Sequence, residues 1–363
     1  MGSRGVLDGQ IIRDYYPLFR PVNLRRGKAG RAAFASLNDA YRLYQQCYEV
    51  FGRDPREIDA VLRSYRPRRT HQSLLHLSDL HFGVPGVSDK EAYLSARLHE
   101  IAPTMSRVVI TGDLFNNPKR EEATAFHNFR VSLSRLTGKN TIVISGNHDQ
   151  KWYEVGKSKL GELANLEWSK LVIDDEMQCV FFCFDSSRDA DLSRGKVTTK
   201  QMVDVATLFE TTAVTQPDVR KYLHVALIHH HPFSFETSQE SWLQQLLSKF
   251  GLTDEYFLRM ENGDEFVTWR AKRGIPLVLH GHKHVQRHVK KGVTYQEGRG
   301  KLRRDVISVG CGTSLDVEDY PLSYNVLGWD PVSKCWSTEV FADSGDGSGF
   351  TQQYVALNTI SDS

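Results

Sequence analysis

The chain has 363 residues, of which 40% are hydrophobic and 25% charged, and its formal net charge is +2. That balance excludes a disordered or fibrous chain, and the length suits one large domain with an appendage. No apolar run reaches the roughly 20 residues of a membrane span, the N-terminus lacks a charged start followed by an apolar stretch, and position 6 is Val where a myristoylation pattern wants Ser or Thr. The expectation is a cytoplasmic protein without membrane contact.

Residues 1–70 differ in texture from the rest. They hold 14 Lys/Arg against 7 Asp/Glu, leaving 32 against 37 for the remainder. Leu37, Ala40, Tyr41, Tyr44, Cys47, Tyr48 and Phe51 recur at three- and four-residue spacing, which predicts a helix over 33–51. Asp54-Pro55-Arg56-Glu57 then combines an N-cap, a first-turn proline and an acidic first turn, predicting a short helix over 54–64. Arg66-Pro67-Arg68-Arg69 reads as a linker. The expected organisation is a basic helical extension and linker over 1–70, a main domain over 71–342 and a tail over 343–363.

From residue 71 the apolar runs at 74–77, 108–110, 141–144, 180–184, 225–228 and 277–279 are continuous rather than alternating. Such runs mark strands buried on both faces, as in a layered α/β domain. Helix-like segments lie between them at 90–101, 121–136, 199–212 and 239–250. Beyond residue 285 shorter strands are expected at 293–296, 305–309, 324–329 and 336–341. Of the five cysteines, Cys179 and Cys183 share one face of a strand, and reduced core cysteines are the expectation for all.

Five segments rich in His and Asp close five of the apolar runs: Asp79-Leu80-His81, Gly112-Asp113, Gly146-Asn147-His148-Asp149, His229-His230-His231-Pro232 and Gly281-His282-Lys283-His284. Strand ends are where open α/β sheets gather ligands. Hard carboxylate oxygens, an amide oxygen and imidazoles, with no thiolate, suit a pair of divalent cations. Asp113 directly follows a strand, and its two oxygens suit a bridge between such a pair. A neutral Asn147 keeps the site from becoming too anionic for an anionic substrate.

In order and spacing, residues 74–315 resemble the calcineurin-like metallophosphoesterase superfamily, whose signature runs D-x-H, G-D, G-N-H-[DE], an H-x-P-like block and G-H-x-H. The resemblance implies a four-layer α-β-β-α sandwich of the metallo-dependent phosphatase type. It implies one metal held by Asp79, His81, Asp113 and His284, and a second held by Asp113, Asn147, His230 and His282. His230 is chosen from the triplet because the family's ligand stands two residues before the proline, with His231 and His229 as fallbacks. His148 would meet the phosphate or the leaving oxygen, with Asp149 orienting its ring. A neighbouring carboxylate that fixes the tautomer is a physical reason for that last role.

The blocks Asp79-Leu80-His81-Phe82-Gly83 and Gly112-Asp113-Leu114-Phe115-Asn116-Asn117 depart from the Ser/Thr protein phosphatases. Leu77-Ser78-Asp79-Leu80-His81-Phe82, Phe184-Asp185-Ser186 and the histidines before Pro232 look most like the class III cyclic-nucleotide phosphodiesterase branch. The expected activity is hydrolysis of a small phosphodiester or phosphomonoester by a metal-bridging hydroxide. The metals are Mn²⁺ first, then Fe or Zn²⁺. A DNA-end nuclease of the same fold and a non-catalytic binding module are the alternatives. Nucleic acid is not the favoured partner, and the 1–70 extension is a candidate for an oligomer or partner contact. His76, His280 and His288 read as structural, and Gly310-Cys311-Gly312-Thr313-Ser314 as a weak candidate for a phosphate cradle.

Overall fold

A computed structural model of the chain describes residues 72–84, 86–116, 120–149, 169–187, 195–233, 260–315, 321–332, 334–343, 345 and 349–359. The 1–70 extension with both its expected helices, and the helix expected over 239–250, lie outside the described residues.

Each of the continuous apolar runs becomes a strand. One sheet contains β1 (Gln72–Leu77), β2 (Arg107–Thr111), β3 (Ile142–Ile144), β10 (Ser323–Asp330), β11 (Cys335–Asp343) and β12 (Phe350–Thr359), in the order β12-β11-β10-β1-β2-β3. The other contains β4 (Leu171–Asp174), β5 (Cys179–Cys183), β6 (Leu223–Leu227), β7 (Leu277–His280), β8 (Arg287–Glu297) and β9 (Gly300–Gly310), in the order β4-β5-β6-β7-β9-β8. In the first sheet β1-β2-β3 form a parallel half that ends at the β3 edge, and in the second β5-β6-β7-β9 form a parallel centre with antiparallel strands outside. Four α-helices, α1 (Val87–Ile101), α2 (Arg120–Thr137), α3 (Thr199–Thr215) and α4 (Gly263–Lys272), and two short 3-10 helices, Ala102–Thr104 and Pro217–Lys221, complete the described elements. Among the described residues no helix is long and apolar enough to cross a membrane.

The two-residue period of the strands sorts their side chains into layers. Leu74, Val109, Ile142, Ile144, Leu327 and Trp329 of the first sheet meet Phe181, Val225, Leu227, Leu279 and Val309 of the second, forming the core between the sheets. The alternate residues Leu75, Leu77, Val108 and Ile110 pack outward on Leu94 and Leu98 of α1 and Phe126 and Phe129 of α2. On the far side Val180, Phe182, Ala226 and Val278 pack on Met202, Val205 and Phe209 of α3 and Phe266 of α4. The result is the expected α-β-β-α sandwich. Cys179 and Cys183 point together into the central core, as their spacing requires, and are free thiols.

Three elements escape the apolar pattern, each for a physical reason. β4 is a short, half-buried edge strand. α4 places Arg270, fully buried, where a core residue is expected. β12 is half polar and lacks a continuous apolar run, yet it pairs along β11 from Phe350↔Asp343 to Thr359↔Cys335, so this part of the expected tail belongs to the first sheet. β8 and β9 are also longer than expected, eleven residues each, because 287–292 of β8 and 300–304 of β9 are mostly polar and carry no apolar alternation.

At the start of β2 an ion cluster ties the two sheets together. Arg107 donates from Nε and Nη2 to Asp174 Oδ2 of β4 at 2.8 and 2.6 Å, and Lys139 Nζ donates to Oδ1 at 2.8 Å. Met177 N–H adds a fourth donor at 3.1 Å. Burial works to raise the Asp174 carboxyl, but Lys139 and Arg107 hold it below the ordinary carboxylate value. Such a group stabilises the fold fully above its unfolded-state value of about 4, and the contribution is lost as pH falls through the folded-state value. Asp174→Asn is therefore expected to cost about 3 kcal/mol at pH 7. In urea melts the gap between variant and parent should close below about pH 4, and a gap independent of pH would contradict this role.

Candidate metal centre

The loops leaving β1, β2, β3, β6 and β7 converge at one end of the sandwich. Backbone pairing continues past the strand ends and holds them there. Asp79 N donates to Gly112 O at 3.1 Å, His81 N to Asp113 O at 2.9 Å and Gly281 N to His229 O at 3.0 Å. Residues without a side chain are needed where these loops cross. A Cβ on Gly146 would strike Asp113, and one on Gly281 would strike Ser78 and Asp79.

Seven non-glycine residues among those described have positive φ, and five of them are Asp79 (53°), His81 (44°), Asp113 (49°), His282 (78°) and His284 (53°). Left-handed backbone costs a side-chain-bearing residue of the order of 1–3 kcal/mol and persists where surroundings impose it. Here the conformation turns each side chain out of its strand's alternation and into the common space.

Two clusters result. Ligand atoms of Asp79, His81, Asp113 and His284 lie within 4.8 Å of one another, and so do those of Asp113, His229 and His282. Asn147 joins the second cluster, its Oδ1 lying 3.0 Å from His229 Nε2 and 2.9 Å from His282 Nδ1. Asp113 belongs to both clusters. The imidazole nitrogens of His81 and His284 approach to 3.3 Å, and those of His229 and His282 to 3.2 Å. Lone pairs so close repel unless a proton or cation lies between them, and four-donor O/N sets of this size fit a divalent cation. The donors present therefore fit the two metals that the resemblance implied.

Electrostatics agree with a site built for positive charge. Burial works to raise Asp113 and Asp79, but Asp113 is held well below its ordinary range by His229, and Asp79 is lowered by His284. Burial alone would lower His229; the Asp113 charge overrides it and lifts the imidazole to about 9. Burial lowers His81 to about 4 and His282 well below its ordinary value.

The histidine triplet requires a correction. His229, not His230, lies in the second cluster. Leu223, Val225 and Leu227 face the core between the sheets, while Ala226 and Ile228 face the helices. Position 229 continues the first set and reaches the centre, at 3.3 Å from Asp113 Oδ2. His230 packs against the His282 ring, centroids 4.3 Å apart, with Nδ1 2.9 Å from Ser186 Oγ and its ring beneath Gly195. His231 is buried with its ring stacked 6.2 Å from that of His282.

Asp149 also takes a different role from the expected one. Its Oδ1 accepts from Leu114 N and Phe115 N at 2.8 and 3.1 Å, and its Oδ2 from Gly146 N at 2.7 Å. It clasps the β2 and β3 loops together and does not orient the His148 ring. Burial and the Asp113 charge push its carboxyl up to about 8, against the three N–H groups that favour the ionised form. His148 donates its backbone N–H to Asp113 Oδ1 at 2.8 Å, and its partly exposed ring lies edge-on to His81 with centroids 4.9 Å apart. His148 and His284 mark the side open to solvent.

Residues around the centre are structural. His76 bonds Thr111 Oγ1 at 3.0 Å, and His280 Nδ1 meets Gly281 O at 3.2 Å rather than a carboxylate. Thr313 Oγ1 donates to Asp79 O at 3.0 Å and Ser314 N to Ser78 O at 2.9 Å, so the 310–314 segment fastens the Asp79 turn.

A family profile described as calcineurin-like phosphoesterase matches residues 73–286. No curated protein matches the chain. Similar solved structures include GAP50, the anchor in the inner membrane complex of Plasmodium, at 10% identity over 80% of this chain and 89% of that one, with a TM-score of 0.47. A single mutant of Vps29 from Entamoeba histolytica is 10% identical over 79% of this chain and all of that one, with a TM-score of 0.36. The calcineurin-like phosphoesterase YfkN from Bacillus subtilis is 12% identical over 80% and 90%, with a TM-score of 0.30.

Substitution separates the two histidines. After Mn²⁺ loading and dialysis, elemental analysis should find one metal per chain in His229→Ala and two in His230→Ala. The reverse pattern would restore His230 as the ligand.

Proposed function

The chain belongs to the calcineurin-like phosphoesterase family, and on that premise we propose that it hydrolyses phosphoesters, phosphodiesters first, at a centre of two divalent cations. The observation that carries this reading is the Asp113 carboxylate shared between two complete donor sets. Asp79, His81 and His284 would hold one cation, and Asn147, His229 and His282 the other. Cations so held supply charge to stabilise a phosphoryl transition state and lower the pKa of a water that attacks it.

The chain's own residues do the rest. Two carboxylates against two dications leave the centre net positive, which draws an anionic ester. The neutral Asn147 preserves that sign where an aspartate would reduce it. His148, on the open side and beside His81, is placed to donate a hydrogen bond or proton to the leaving oxygen. The O/N donor set suits Mn²⁺, Fe or Zn²⁺. No cysteine enters it: the Cys311 thiol donates to His76 O at 3.5 Å, and Cys179 and Cys183 lie in the core.

A direct test uses Mn²⁺ and bis-p-nitrophenyl phosphate. Wild type should turn over, and Asn147→Ala should lose both activity and one metal. His148→Ala should keep two metals while losing about 10²–10⁴ in kcat, the usual worth of a general acid. Equal rates for all three proteins would remove these residues from the chemistry. Metal uptake without turnover on any ester would favour a binding scaffold.

A further inference from the structure

Charge is segregated within the main body of the chain. The segment 287–310, which is β8, its turn and β9, holds seven Lys/Arg against two Asp/Glu. The remaining residues from 71 onward hold 25 against 35. A surplus of five cations thus sits on one antiparallel ribbon of an otherwise acidic body.

Structure accounts for only part of this surplus. Arg304 donates to the carbonyls of Ala271 and Lys272 at the end of α4 and lies over the Tyr295 ring. Lys290 pairs with Asp305 at 2.9 Å, and Lys291 lies 5.4 Å over Phe233. Arg299, Lys301 and Arg303 are exposed and have no ion-pair partner among the described residues. Lysines on an edge strand block unwanted strand pairing, which explains Lys290 and Lys291 on β8. β9 pairs with β7 only from Ile307 to Gly310, so Lys301 and Arg303 lie on the two-stranded stretch of the ribbon.

Register places Lys290, Lys301 and Arg303 on one face of the ribbon, with Lys291 and Arg304 on the other. Lys290 lies opposite Ile307, Thr294 opposite Arg303 and Gln296 opposite Lys301. Gly292, on the same face, leaves room for the Arg303 side chain to lie across the ribbon. The ribbon is rooted at the metal centre: Arg287 follows His284 by three residues, and Gly310 pairs with both Arg287 and His280. From that root its eleven-residue strands reach outward by about 33 Å.

We propose that the β8–β9 ribbon binds the phosphate backbone of a nucleic acid, extending the site beyond the scissile phosphate. This rests on the phosphodiester reading above, and it moves the substrate from a small cyclic diester to a polymer. A polymer of phosphodiesters is the partner that satisfies a row of unpaired cations and a phosphoester centre at once.

The test measures binding of the full chain, in EDTA, to a labelled DNA of about 30 nucleotides, single-stranded and duplex, across a NaCl series. The Arg299→Glu/Lys301→Glu/Arg303→Glu variant should bind at least tenfold more weakly at about 100 mM salt, with the salt slope reduced by about 2–3. Its melting temperature and its hydrolysis of bis-p-nitrophenyl phosphate should match wild type. Unchanged DNA binding in the variant would overturn the proposal, as would equal or tighter binding of polyglutamate or phosphatidylserine vesicles by wild type. Because binding is read without metal, failure of ester hydrolysis would count against the phosphoesterase reading and leave the ribbon to be judged by its own affinity.

Discussion

The Asp113 carboxylate is the point on which the centre depends. One buried side chain must face two donor sets, accept the His148 N–H at 2.8 Å and lie 3.3 Å from His229. Buried carboxylates are costly unless paired, and this one is surrounded by three imidazoles that hold it ionised. Everything near it is arranged to keep it there. Gly146 is small because Asp113 occupies the space its Cβ would need, and Asp149 ties the Asp113 loop to the Gly146 loop through three backbone N–H groups.

That arrangement is bought with strained backbone and rigid support. Five residues of the two clusters sit at positive φ, where a side chain is disfavoured. The parallel ladders β1-β2 and β6-β7 run on beyond the strands and impose the conformation, and the 310–314 segment secures the Asp79 turn from the other side. At the start of β2, the Arg107–Asp174 pair joins the two sheets. The site therefore belongs to both sheets, with Asp79, His81, Asp113 and Asn147 from one and His229, His282 and His284 from the other.

Much of this was legible in the sequence, because buried strands advertise themselves as continuous apolar runs and metal ligands by residue type at strand ends. Seven of the expected site residues meet at the centre: Asp79, His81, Asp113, Asn147, His148, His282 and His284. Within the histidine triplet the second cluster takes His229 where His230 was expected, although the phase of Leu223, Val225 and Leu227 was available to point to it. Asp149 was harder to read, since a bond to distant backbone N–H groups leaves no trace in local spacing. Polar elements were under-read throughout. β12, the 287–292 part of β8 and the 300–304 part of β9 have no apolar alternation, and the ribbon's charge takes its meaning from its root near His284.

The account stands or falls on two cations sharing Asp113. Anomalous diffraction from crystals of the Mn²⁺-loaded chain tests this most directly. It should give two peaks about 3.5–4 Å apart, with Asp113 oxygens on both and His229 on the peak shared with Asn147 and His282. A single peak, or a second peak ligated by His230 with His229 turned away, would contradict it.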